Sequence, residues 1–155
     1  MQFTNYFFAS IICFLGLLAG LALVKIAPEE QKPLQRYFSF FKRAIFFLLF
    51  AFLIFYYFNN IFYVLTLTTY FIFLLFVDFK TKDLLKNSMV NYTAFGVLFF
   101  LSSSNKNLFA IDSSLIFLYG LPIASIIYDK KKKNHHQMFF YNMGFLAIAN
   151  LLFFI

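Results

Sequence analysis

The chain has one cysteine, Cys13, no tryptophan, and only six acidic residues in 155 positions. A single thiol excludes an intrachain disulfide and a thiol-rich metal site. His135 and His136 are the only histidines; they stand together beside a lysine run, and two adjacent imidazoles next to cations do not make a metal cage. Charged residues make up 12% of the chain, about half the share in an ordinary soluble domain. What fills the space is apolar: 63% of residues are hydrophobic. One core of this size cannot bury that much apolar surface, so a soluble enzyme, a disordered segment and a disulfide scaffold are all excluded. Lipid is the solvent for most of the chain.

Phenylalanine occurs 28 times and tyrosine ten times. Phe, Ile, Asn, Lys and Tyr are abundant while Ala, Gly, Pro and Arg are scarce, the bias of an AT-rich coding sequence. Phe then serves as the generic lipid-facing residue, and no aromatic ligand track is inferred.

Charges and turn residues divide the chain into six apolar blocks. The spans expected are 6–27, 38–58, 61–77, 89–104, 108–128 and 138–155. A hydrocarbon core of about 30 Å needs roughly 20 apolar residues as helix. The first and fifth blocks meet this outright. The second borrows Tyr37 to Phe41 if Lys42 and Arg43 extend to the headgroups. The fourth is the weakest and reads as a tilted, short or re-entrant segment. Pro28 stops the first span, and Asn59-Asn60 separates the second from the third. The expected fold class is an all-α integral membrane protein, a single compact polytopic bundle of about six transmembrane helices.

The net charge of +7 orients this bundle. Twelve of the thirteen basic residues fall in loops one, three and five, around Lys25–Arg43, Lys80–Lys86 and Lys130–Lys133; Lys106 is the exception. The positive-inside rule then places these loops in the cytoplasm and both termini outside the cell membrane. Because the basic residues serve this purpose, no nucleic-acid partner is inferred. Lys130, Lys131, Lys132 and Lys133 form a run suited to anionic lipid headgroups.

Small residues mark one face of the first span. Ala9, Cys13, Gly16, Gly20 and Ala27 lie within one narrow sector at 100° per residue. Gly16 and Gly20 form a small-xxx-small pair that lets helices approach closely, which makes this span the expected packing centre. Gly120 and Ala124 form a weaker pair beside Pro122, a residue expected to kink the fifth span. Pro28-Glu29-Glu30 opens an interfacial helix that runs through Leu34, Tyr37, Phe38 and Phe41 into the second span. Ionisable groups are nearly absent from the interior: Asp112 is placed near the outer end of the fifth span, and Asp78 and Asp129 at inner ends.

Val77-Asp78-Phe79-Lys80-Thr81-Lys82-Asp83-Leu84, followed by a new apolar segment, resembles the first aspartate motif of prepilin and preflagellin peptidases. The resemblance implies an intramembrane aspartyl peptidase in which two carboxyls share a proton and activate water. Asp78 matches the first catalytic position. The second motif, glycine-x-glycine-aspartate, is absent, and Asp129 is the remaining candidate on the same side. The leading expectation is a non-enzymatic membrane subunit or scaffold, with the lipid bilayer and other membrane subunits as partners and no cofactor. The peptidase is one alternative. A small passive transporter of a neutral or lipid-like substrate is the other.

Overall fold

A computed structural model describes residues 2–27, 29, 31–81, 83–130 and 135–154, with side-chain environments omitted for Gln31, Lys32, Gln35, Arg36, Asp129, Lys130 and His135. Every regular element among these residues is helical: α1 (Phe3–Ile26), α2 (Gln31–Tyr56), α3 (Ile61–Lys80), α4 (Leu84–Ser102), α5 (Lys106–Lys130), α6 (His135–Asn142) and α7 (Gly144–Phe153). Helices α1 to α5 contain stretches long and apolar enough to cross a membrane.

Short polar caps fix where the helices begin. Asn60 accepts a hydrogen bond from the Phe62 amide and starts α3. Asp83 does the same for the Leu85 amide and starts α4, and Asn105 accepts from the Asn107 and Leu108 amides at the head of α5. Each side-chain oxygen satisfies amides that have no carbonyl one turn earlier.

Several boundaries differ from the sequence expectation. The fourth segment begins at Leu84 rather than residue 89, because Asp83 caps it, and Lys86 and Asn87 lie inside the helix. It is a complete 19-residue helix, so it is neither short nor broken. The third helix continues past Val77 to Lys80, and the fifth extends from Lys106 to Lys130. The second helix is continuous from Gln31, so the interfacial stretch and the span are one element; Pro28 and Glu30 lie outside the described residues. The segment 138–155 is not one helix. It divides at Met143, where glycine follows, the residue with the poorest helix propensity after proline. At the same point the Asn142 side chain donates to the Met138 carbonyl and accepts from Ser88 on α4.

Burial is deepest in α4 and α5. Eleven of the 19 residues of α4 are buried, whereas α1 buries eight of 24. Helix α4 is enclosed by α5 and α7, and α1 packs along the outside of α5. Phe95, Leu98, Phe99, Tyr119 and Phe145 are fully buried at this junction. Helix α2 packs on α5 and buries Phe46, Leu49, Phe50 and Leu53, whereas α3 lies at the periphery and buries only Leu67 and Leu74. The rings of Phe3 and Phe154 meet at a centroid distance of 4.8 Å, so both ends of the chain lie at one end of the bundle. Lys42, Asp78 and Lys86 mark the opposite, lysine-rich end.

Candidate functional site

The densest set of polar side chains starts at the lysine-rich end and runs inward. Lys42 on α2 forms an ion pair with Asp78 on α3, Nζ to Oδ1 at 2.7 Å. Asn87 on α4 donates to the same carboxylate oxygen at 2.5 Å. One turn deeper, Asn91 donates to Asn87 Oδ1 at 3.2 Å and to the Tyr119 hydroxyl of α5 at 2.9 Å. The chain Lys42–Asp78–Asn87–Asn91–Tyr119 therefore ties four helices together. Helical periodicity builds it, since Asn87 and Asn91 are one turn apart on the same face of α4.

Low dielectric makes each of these bonds stronger and each omission more costly. The omissions are few and specific. Asn91 Oδ1, the Tyr92 hydroxyl, both carboxylate oxygens of Asp112 and Asn150 Oδ1 are buried with no hydrogen-bond partner among the described residues. Asp112 lies near the end of α5, and its side chain is fully buried. It shares a face of α5 with Ile116 and Tyr119, both fully buried, and that face turns toward the bundle.

Beside the polar chain lies a cavity of about 200 Å³ between α2, α3 and α4. Lys42, Arg43 and Asp78 form its charged part, Phe46, Phe71 and Leu75 its apolar part, and Asn91 contributes the amide whose oxygen has no partner.

The residues singled out from the sequence occupy several places. Asp78 belongs to the polar chain, and the groups bonded to its carboxylate are an ammonium and an amide. A proton-sharing dyad would need a second carboxyl at that point. The Asp129 side chain lies outside the described residues; its backbone stands near the end of α5. Lys131, Lys132 and Lys133 are also outside the described residues, and only the backbone of Lys130 is within them. His136 is exposed. Among the described residues no group of three His, Cys, Asp or Glu side chains comes together to hold a metal ion.

On α1, Cys13, Gly16 and Gly20 are buried against α5, and Ala9 is partly buried. Ala27 follows the helix, with its amide on the Leu23 carbonyl. The Cys13 thiol donates to the Ser113 carbonyl at 3.3 Å. Backbones, not side chains, set this contact: a Cβ on Gly16 would collide with the Phe117 carbonyl oxygen, and one on Gly20 would lie 2.7 Å from the Leu121 oxygen. Asn87, Asn91 and Lys42 were not singled out from the sequence. Asn87 fell before the expected start of the fourth span, and Lys42 read only as an interfacial anchor. The usable signal was the Asn87/Asn91 spacing of four on a helix that Asp83 is able to cap.

No protein-family model, curated protein or solved structure matches the chain.

Proposed function

We propose that this chain is a non-enzymatic subunit of a membrane complex, in which the α2–α3 hairpin presents α3 to a transmembrane helix of another chain. The observation that carries this reading is the outer stripe of α3. Phe62, Thr66, Thr69, Phe73 and Phe76 recur at spacings of four, three, four and three, and all five are exposed. That is the spacing of a helix–helix seam. The Thr66 and Thr69 hydroxyls donate to carbonyls of their own helix, so the stripe is small and hydrogen-bond-satisfied at its middle and aromatic at its ends. Lipid alone calls for no small residues at mid-depth, whereas membrane helix interfaces are enriched in them.

In this reading α6 and α7 together form the sixth crossing, the lysine-rich end faces the cytoplasm, and the termini lie outside the cell membrane. The proline-free, carboxylate-poor stretch of α3 supplies contact area rather than chemistry. Asp78 supports the same view, because it is committed to holding α2 and α4 to α3.

The test is in-membrane cross-linking in a Cys13→Ala background. Cysteine at Thr66 or Thr69 is expected to give a defined adduct with another membrane protein, and cysteine at the more enclosed Thr68 is expected to give none. No adduct from either exposed position, with the protein monomeric in native membranes, would end the proposal.

A further inference from the structure

The cavity between α2, α3 and α4 has a composition that plain packing does not call for. Two cations and one carboxylate line it, Lys42, Arg43 and Asp78, which leaves a net positive charge. Lys42 and Asp78 are already joined at 2.7 Å, so the excess resides at Arg43, which is exposed at the lysine-rich end. The walls that run inward from this charge are Phe46, Phe71 and Leu75, one and two turns from the ion pair along α2 and α3. Asn91 lines the same space and is 1% exposed, and its Oδ1 is a buried acceptor with no partner among the described residues.

A cation at the rim and an apolar wall below it match an amphiphile. The volume narrows the choice. About 200 Å³ is less than the roughly 300–1,000 Å³ of a pocket that encloses a whole small molecule. It accommodates part of a larger molecule whose remainder lies in the bilayer. We propose that this cavity binds an anionic phospholipid, with its phosphate at Arg43 and one acyl chain against Phe46 and Phe71. The charge complementarity selects an anionic over a zwitterionic headgroup, because a choline ammonium would meet Arg43 with like charge. This site is separate from the outer stripe of α3 and does not depend on the subunit reading.

The absence of tryptophan makes the test clean, since a single introduced indole is the only one in the chain. Phe47 also borders the cavity but is 61% exposed, so Phe47→Trp is tolerated sterically. Phe55, two turns further along α2 and 82% exposed, gives a reference position in Phe55→Trp. Each full-length variant is reconstituted in vesicles that contain either phosphatidylglycerol or phosphatidylcholine with brominated acyl chains. Tryptophan at 47 is expected to show a preference of about fivefold for the brominated phosphatidylglycerol, the size of one basic side chain's attraction to an anionic lipid. Adding Arg43→Gln is expected to abolish that preference, and tryptophan at 55 is expected to show none. Equal quenching by the two lipids at position 47, the same preference at position 55, or a preference that survives Arg43→Gln would each overturn the proposal.

Discussion

Gly16 of α1 and Gly120 of α5 face each other with no room for a side chain on either. A Cβ on Gly120 would sit 2.5 Å from the Gly16 carbonyl carbon and 2.6 Å from the Leu17 amide nitrogen. The obstructing atoms are backbone and cannot rotate away, so the two helices must separate if either glycine gains a methyl group. Gly16→Ala and Gly120→Ala are each expected to destabilise the protein by about 1–3 kcal/mol, the usual cost of overpacking. Gly144 provides the contrast. Its added Cβ would meet the Thr93 hydroxyl at 2.9 Å, a side-chain atom that is able to turn, and alanine is the better helix former. Gly144→Ala is therefore expected to remain within about 1 kcal/mol of the native protein. Thermal unfolding in a mild detergent measures all three, and equal losses would contradict the backbone-contact assignment.

The Lys42–Asp78 pair joins α2 to α3 at the end of the hairpin, beyond the ring contacts of Phe46, Phe47 and Phe50 with Phe71. Its side chains are 11% and 20% exposed, too enclosed for water to replace the partner fully. Removing one charge leaves the other partly buried and unpaired, which costs more than removing both. Lys42→Met and Asp78→Asn are each expected to destabilise, and the double variant is expected to recover part of the loss. The double-mutant cycle should give a coupling of about 0.5–3 kcal/mol. Additive losses would mean that the pair does not support the hairpin and that Asp78 is available for another role.

The α1–α5 contact and the polar chain were unequally legible in the sequence. Glycine is scarce here, so Gly16 and Gly20 marked a face of α1 directly, and Gly120 with Ala124 marked a weaker one on α5. What the spacing could not supply was the identity of the neighbour, since a close-approach face states only that some backbone comes near. The polar chain was hidden for a different reason. Hydropathy measures how apolar a stretch is, and Lys86 and Asn87 lowered it enough to shorten the fourth span, although Asp83 starts that helix five residues earlier. Asp112 shows the same limit: a position near the end of an apolar block says nothing about which way the side chain faces.

That burial makes Asp112 a sensitive probe. Neither carboxylate oxygen has a hydrogen-bond partner among the described residues, and the side chain is fully buried beside an apolar row. A buried polar group without partners costs about 1–3 kcal/mol, and an apolar replacement of similar shape removes that cost. Asp112→Leu is expected to raise stability by an amount in that range, while Asp112→Asn, which keeps the unsatisfied polar atoms, is expected to gain less. Detergent unfolding distinguishes them. A loss of stability in Asp112→Leu would mean that the carboxyl is held by a group outside the described residues.

The proposed orientation rests on charge, and single cysteines test it residue by residue. With Cys13 replaced by alanine, cysteine can be placed at Asn59 and Lys106, which are exposed at the end of the bundle where the chain termini lie. It can also be placed at Lys80 and Lys86, which are exposed at the opposite end. In the proposed arrangement the bilayer lies between these two groups, and the 20-residue α3 that separates them is about 30 Å long. In the proposed orientation the end with the basic surplus, at Lys80, is the inner one. A membrane-impermeant maleimide is therefore expected to label Asn59→Cys and Lys106→Cys in intact cells, and Lys80→Cys and Lys86→Cys only after the membrane is opened. The reverse pattern would invert the orientation. Different behaviour of Asn59→Cys and Lys106→Cys would refute the pairing of α3 and α4 as consecutive crossings.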